Sequence, residues 1–416
     1  MHLLPGTTAV RLLIYEPDPS GHHFAYVRRL VDAATPLVHR TLLATTSKAL
    51  ASVEFKAFLS DRCGVLEARS IAHGLPLGIA ASAAARAAGL LRSIRTLRPD
   101  FVYVPYADGV TQLLALVNRF PAAYLLRRVA SAALMMRGSF AYPRSSLFSS
   151  VQAEATLATL SRAPWNGIDL IDPIAYEYLR HARPHIASRI RLVPDPVEPT
   201  PNMSSREARV QLSLPTDALL VGCVGGLDER KGIHLLLQAL RQTRLPDDVH
   251  LVLAGQLSPP VRQQLESLPG SCLPRRRIHL RDRHIPSAEL QTYLVAFNLV
   301  CTPYPRHIGS ASIVIRAAAA CRPVLGSDFG WSGRIIPQFG LGWTCDSRFP
   351  SAIAHALERV LPLVETHRPD HAARRFLEFH SEANFRAMFA NRIRSHLSLC
   401  PEPVLQWASV EPCHLT

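Results

Sequence analysis

Lysine is almost absent from this chain of 416 residues. Of 46 basic residues only Lys48, Lys56 and Lys231 carry an ammonium. That scarcity makes each lysine informative, because an ammonium is a compact point charge and a guanidinium a planar fork. Long apolar runs are lacking too. None approaches the ~18 residues of a membrane-spanning helix. The nearest, VASAALMM at 129–136, is bracketed by Arg128 and Arg137. The N-terminal MHLLPGTTAVRLLIYEP has no charged segment followed by a long apolar one, so no signal peptide is expected. The eight cysteines form no C-x-x-C pair, which argues against a zinc site. Cys223, Cys301 and Cys321 lie in apolar runs and read as small core residues, a pattern suited to a reducing cytoplasm.

Charged residues are sparse at 19%, and apolar residues reach 48%, ample for sizeable cores and unlike a disordered chain. The length suggests two or three domains. The net charge is +14, with 22 basic and 14 acidic residues before position 200 and 24 and 18 after it. An excess spread over both halves is not a basic tail. Nucleic acid, an anionic membrane surface or a phosphorylated ligand would each account for it, as would an arginine-rich proteome.

Short apolar runs alternate with helical patterns from end to end. RLLIY (11–15), VHRTLLA (38–44), DFVYVPY (100–106) and GIDLIDP (167–173) read as strands. FAYVRRLVDAA (24–34) and the alanine-rich 77–97 read as helices, the latter with Ile79, Ala83, Ala87, Leu90, Ile94 and Leu97 on one stripe. The proline-rich stretch 191–208 reads as a linker. Beyond it the alternation restarts, with strands at 218–226, 249–255, 299–304 and 323–328 and helices at 232–242, 285–297 and 312–321. Such alternation predicts βαβ units and a parallel sheet in each half. Residues 371–397 form a long amphipathic ending, and 398–416 read as a tail.

Four clusters bear chemistry. In GGLDERKG (225–232) a glycine turn at Gly225 and Gly226 leaves a strand, and Lys231 stands where the next helix begins. The backbone there can approach an anion and the lysine can neutralise a diphosphate; the alternative is a tight turn with a solvated lysine. In GSASIVIRAAAACRP (309–323), Gly309, Ser310 and Ser312 offer N–H groups and hydroxyls at a helix start, either a phosphate seat or ordinary capping. In SGHHFAY (20–26), Gly21, His22 and His23 follow the first strand, and the histidines suit hydroxyl or phosphate recognition or acid–base work. The alternative there is one packed and one solvated ring. In YADG (106–109), Asp108 either binds sugar hydroxyls, orients a histidine, or simply makes a turn.

Together these stretches resemble a known family. VGCVGGLDERKGIHLLLQAL looks like the donor-domain signature of family 4 glycosyltransferases, which have the GT-B fold. IVIRAAAACRPVLGSDFGW is similar to that family's EAxAxGxPVxxSDxGG region, and RLVPDPVEP to its interdomain segment. The resemblance implies an α/β GT-B architecture of two Rossmann-like domains facing across a central cleft. It implies an acceptor domain over 1–199, a nucleotide-sugar donor domain over 200–375 and a helix at 376–397 that crosses back to the first domain. It also implies transfer of a sugar, of hexosyl type, with retention of configuration. No metal or cofactor is required, because cations and a helix N-terminus balance the leaving diphosphate.

Carried over residue by residue, the family's phosphate-binding lysine is Lys231, and the backbone that seats the diphosphate matches Gly309 to Ser312. Its companion arginine falls on Gly226, and its two glutamates, spaced E-x7-E, fall on Ile308 and Arg316. The phosphate seat is kept and the carboxylates are lost. Arg316, or else Arg306, is expected to take over a phosphate or ribose contact; otherwise Arg316 is a solvated helix residue.

The expected donor is a UDP- or GDP-sugar, and the expected acceptor a glycan, a lipid-linked or a small molecule. A non-catalytic GT-B protein that binds a nucleotide sugar or a protein partner is the alternative, and a nucleotide-sugar epimerase a third reading. The location is read as cytoplasmic. Arg127, Arg128 and Arg137 around VASAALMM, with Arg86, Arg92, Arg95 and Arg98 on the alanine-rich helix, suggest either peripheral contact at the inner face of a membrane or packing within the first domain. Packing is the plainer reading. Beyond charge, no motif supports nucleic-acid binding.

Overall fold

The computed structural model describes residues 10–19, 23–71, 79–117, 124–143 and 147–411. The chain divides into two compact units. The first comprises Met1–Pro194 and Glu382–Val404, the second Asp195–Ser381 and Leu405–Thr416. The division falls five residues before the expected end of the first domain at 199, so segment 195–200 belongs to the second unit.

The first unit is built on seven strands: β1 Arg11–Tyr15, β2 Arg40–Thr45, β3 Leu66–Ser70, β4 Phe101–Val104, β5 Ala130–Met135, β6 Gly167–Leu170 and β7 Ile190–Leu192. Their order is β3-β2-β1-β4-β5-β6-β7, and every pairing is parallel. The order reverses between β1 and β4, the place where open parallel sheets bind ligands outside their carboxyl ends. Leu13, Val102, Ala133 and Leu170 share one core with Leu90 and Ile94 of the alanine-rich helix Ile79–Leu97. Each fully buried leucine or isoleucine there contributes about 2 kcal/mol.

VASAALMM resolves into β5, which lies between β4 and β6 with Ala132–Met135 buried. A strand covered on both faces reads as an unbroken apolar run, which explains its resemblance to membrane-seeking sequence. Among the described residues no helix is long and apolar enough to cross a membrane. Strands β3 and β7 escape a pattern search because they are short and carry charge, as LEARS and IRL.

The amphipathic ending is two helices rather than one. His371–Phe379 belongs to the second unit and Glu382–His396 to the first. In the first unit Phe389 meets the Tyr103 ring edge-on at 4.8 Å and Phe385 meets Tyr26 at 5.5 Å. Arg392 Nη2 donates to Asp169 Oδ1 at 2.6 Å, Arg191 Nε reaches the same oxygen at 3.1 Å, and Tyr103 donates to Oδ2 at 3.1 Å. Burial would raise this carboxyl, but the two guanidiniums overcome it and hold it at about 2. A depressed carboxylate contributes stability above its unfolded value, and that stability is lost as pH falls through the folded value. The first unit is therefore expected to lose about 2 kcal/mol between pH ~4 and pH ~2. Arg392→Ala, followed by acid titration of near-ultraviolet circular dichroism, should move that loss to higher pH.

The second unit carries β8 Leu219–Val224, β9 Val249–Ala254, β10 Ile278–Arg281, β11 Leu299–Thr302, β12 Val324–Ser327 and β13 Gly342–Cys345, all parallel, in the order β10-β9-β8-β11-β12-β13. Its reversal lies between β8 and β11. Val221, Leu251, Leu253 and Leu299 pack with Leu236, Leu237 and Leu357. The residues read as a tail also contribute here. Trp407 is buried, its ring 5.1 Å from Phe379, 5.5 Å from Phe339 and 6.4 Å from His380.

Candidate functional site

In the second unit, the loops after β8 and β11 meet at the sheet's reversal point. Gly225 closes β8 with φ of 100°, a conformation that glycine tolerates and other residues resist. Asp228 then caps the 3-10 turn Glu229–Lys231, its Oδ1 accepting from the Lys231 N–H at 2.9 Å. Gly232 has φ of 69°, and a Cβ there would stand 1.9 Å from the Pro303 carbonyl oxygen. Only a glycine lets the β8 loop lie so close against the β11 loop.

This geometry folds the Lys231 side chain back over its own loop. Its Nζ lies 3.1 Å from where a Gly225 Cβ would stand and 5.6 Å from the centre of the Tyr304 ring. Among the described residues the ammonium has no hydrogen-bond or carboxylate partner. Burial and the neighbouring Arg230 lower its pKa. A half-buried cation with no salt-bridge partner bears part of its desolvation cost uncompensated, and an incoming anion relieves it.

After β11, Gly309 turns with φ of 90° and the helix Ser312–Ala319 begins. No side chain caps that helix, so its N-terminal partial charge is not offset by a capping oxygen. Ser310 is not available as a phosphate donor in the way the sequence suggests, because its hydroxyl donates to Asp195 Oδ2 at 2.7 Å. Ser312 is the first helical residue, and Arg306 is exposed on the loop, where its charge acts on Asp346.

Arg316 corrects both sequence expectations. Its charge is engaged inside the second unit and does not face water. The residue is 3% exposed, and its Nη1 donates to Glu198 Oε2 at 2.5 Å. Ser287 Oγ donates to the same oxygen at 2.5 Å, and Gln291 Nε2 donates to Thr200 Oγ1 at 3.2 Å. Arg316 thus fastens the proline-rich segment 195–200 to the helix. Gly226, where the resembled family has its second cation, has nothing within 4 Å of an added Cβ.

In the first unit, His23 and Asp108 are placed near the carboxyl ends of β1 and β4, while Gly21 and His22 lie outside the described residues. The His23 ring stacks on Tyr106 at 3.5 Å with an interplanar angle of 5°. Asp108 does not orient it. The two Asp108 oxygens accept from the backbone N–H groups of Met136 (3.0 Å) and Arg137 (2.8 Å), tying the end of β5 to the helix Asp108–Val117. Burial raises the Asp108 pKa against those bonds. The group that accompanies His23 is one the sequence reading missed. Glu16, immediately after β1, places Oε1 3.0 Å from His23 Nδ1. A carboxylate directly after an apolar strand, seven positions before a histidine, was the available signal.

Residues 218–362 match the family described as glycosyl transferases group 1. Lys231, the turn at Gly225 and the helix Ser312–Ala319 all fall within the matched residues. A curated relative, the D-inositol 3-phosphate glycosyltransferase of Xylanimonas cellulosilytica, is 31% identical over 184 residues. That alignment covers 42% of this chain and 43% of the relative, less than half of its length. Solved structures extend the likeness to nearly the whole chain. Alr3699/HepE of Anabaena in complex with UDP has a TM-score of 0.66 at 16% identity, covering 93% of this chain and all of that one. Sucrose-phosphate synthase of Thermosynechococcus elongatus has a TM-score of 0.66 at 17% identity, covering 96% of each. At such identities the likeness is one of fold, and that fold is GT-B.

Proposed function

We propose that this chain transfers a sugar from a nucleotide-sugar donor to a hydroxyl-bearing acceptor, with retention of configuration and without a metal. The observation that supports this most is the Lys231 ammonium, half-buried, without a salt-bridge partner among the described residues and set at the sheet's reversal point. Lys231 and the uncapped helix Ser312–Ala319 supply the positive charge that a leaving diphosphate needs. A uridine diphosphate sugar is the first donor to try, since similar folds hold UDP or UDP-glucose. The acceptor is a glycan, a lipid-linked or a small molecule, and the name of the curated relative suggests D-inositol 3-phosphate as a probe.

Calorimetric titration with UDP and GDP, followed by assay of UDP-glucose cleavage with and without D-inositol 3-phosphate, tests this reading. Absence of binding by either nucleotide overturns it. One observation favours a second reading. With Gly226 open and Arg316 paired to Glu198, Lys231 is left without the second cation of the resembled family. A protein that binds the donor without turning it over would show UDP binding and no cleavage.

Gly226 offers a gain-of-function test. Its added Cβ meets open space, so Gly226→Arg is sterically allowed. A second guanidinium near a diphosphate is expected to tighten UDP by about tenfold, roughly 1.4 kcal/mol, in the same titration. Unchanged affinity would place position 226 away from the phosphates.

A further inference from the structure

Asn298 stands just before β11 and Arg322 just before β12, so both lie at the amino end of the second unit's sheet. Lys231 and the Gly309 turn lie in loops at its carboxyl end. At the amino end a cavity of about 430 Å³ is lined by Asn298, Cys321, Arg322, Val364, Glu365 and Arg368 among others. Sites for small molecules run from roughly 300 to 1,000 Å³.

The polar lining is rich in unspent donors. Asn298 Oδ1 accepts from Arg209 Nη2 at 2.5 Å and from the Leu220 N–H at 2.8 Å. That leaves its Nδ2 without an acceptor among the described residues. Arg322 is half-buried, and its Nη2 donates to Ser205 Oγ at 2.8 Å. Its Nε is buried without a hydrogen bond, and no carboxylate among the described residues pairs with the guanidinium. Arg209 adds a like charge nearby, and burial lowers the pKa of both arginines. Arg368 Nη1 donates to the backbone oxygens of Glu365 at 2.6 Å and His367 at 2.8 Å, and no carboxylate pairs with it either. Glu365 is the one carboxylate of the lining.

Helix capping does not account for Arg322. The helices Ser287–Ala296 and Ser312–Ala319 end just before Asn298 and Cys321, and each C-terminus carries about half a negative charge. Arg209 answers the first, its Nε donating to the Ala296 carbonyl at 2.9 Å. The Arg322 side chain reaches no carbonyl of the second.

We propose that this cavity binds a phosphate-bearing small molecule, with Arg322 and Arg368 meeting its charge and Asn298 Nδ2 donating to a phosphate oxygen. A lining of unspent donors selects an oxyanion, and the planar fork of a guanidinium matches phosphate geometry. The cavity lies at the opposite end of the sheet from Lys231, so it is a second site within the same unit.

Cys321 gives a local readout, because it is exposed and lines the cavity, whereas the exposed Cys63 and Cys400 belong to the first unit. Alkylation of the full chain by N-ethylmaleimide, followed at each cysteine by peptide mass spectrometry with and without inorganic phosphate, tests the proposal. With a Kd near ~1 mM, phosphate at ~10 mM should slow Cys321 about tenfold and change Cys63 and Cys400 by less than about twofold. Sodium chloride at the same ionic strength should leave Cys321 unprotected. Lys231→Ala should keep the protection, and Arg322→Met should abolish it. Thermal unfolding without phosphate reports whether the variants fold. Should Arg322→Met not fold, Arg368→Ala at its exposed position decides instead, with protection reduced by about threefold or more. Equal slowing by chloride or at all three cysteines, protection that survives the deciding arginine variant, or its loss in Lys231→Ala overturns the proposal.

Discussion

Replacing Lys231 with alanine is expected to weaken UDP binding by about a hundredfold, near 2.7 kcal/mol. At an effective dielectric constant of about 20, two unit charges ~4 Å apart interact by ~4 kcal/mol. Part of that is offset in most sites by the cost of stripping water from the cation on binding. Here the ammonium already lies against the Gly225 backbone and the Tyr304 ring, so the protein bears that cost before the ligand arrives. Most of the attraction then appears as affinity. Lys231→Arg should rescue little, because a guanidinium is larger than the space left between Gly225 and Tyr304. Calorimetric titration with UDP reads both variants, and a Lys231→Ala affinity within about twofold of wild type would place the lysine outside the anion site.

Arg316→Ala is expected to do the opposite: cost stability and leave UDP affinity alone. The guanidinium is buried against Glu198. Removing one member of such a pair strands the other, at roughly 3–5 kcal/mol for fully buried partners. The Glu198 side chain keeps 26% of its exposure and regains some water, so about 3 kcal/mol is the better expectation. For a unit of this size that corresponds to roughly 6–12 °C in Tm. The double variant Arg316→Met with Glu198→Gln should recover most of the loss, because an apolar side chain of similar length fills the site without a charge to satisfy. Differential scanning calorimetry with UDP titration on the same samples separates the two roles. A single variant that melts like the wild type but binds UDP more weakly would return Arg316 to the ligand site.

These two residues mark what could and could not be read from the chain. Lys231 stands out in the sequence because lysine is scarce and a glycine turn precedes it, both local facts. The parallel sheets were legible for the same reason, since a strand such as LLVGCV announces itself by its own apolar run. Arg316 was not, because its partner lies 118 positions away in a proline-rich segment that reads as a mere linker. Nothing local distinguishes an arginine that faces a diphosphate from one that faces a distant glutamate. Asp108 misled in a similar way. Its position just after β4 matched a ligand-binding carboxylate, yet its oxygens serve the backbone of β5, a strand brought beside it by the fold. Glu16 was passed over because a single carboxylate after a strand is common. Only the fold brings His23 and Tyr106 beside it.

The return of the chain bears on how the protein is made. The first unit needs Glu382–Val404 and the second needs Leu405 onward, which brings Trp407 to Phe339 and Phe379. Domains usually fold in order as they leave the ribosome. Neither unit here is complete in that order, because each takes a segment from beyond residue 381. A ribosome that stalls near residue 381 would therefore release a chain with two unfinished cores rather than one finished domain and one fragment. That product exposes aromatic surface in both, the kind of surface that chaperones and proteases survey.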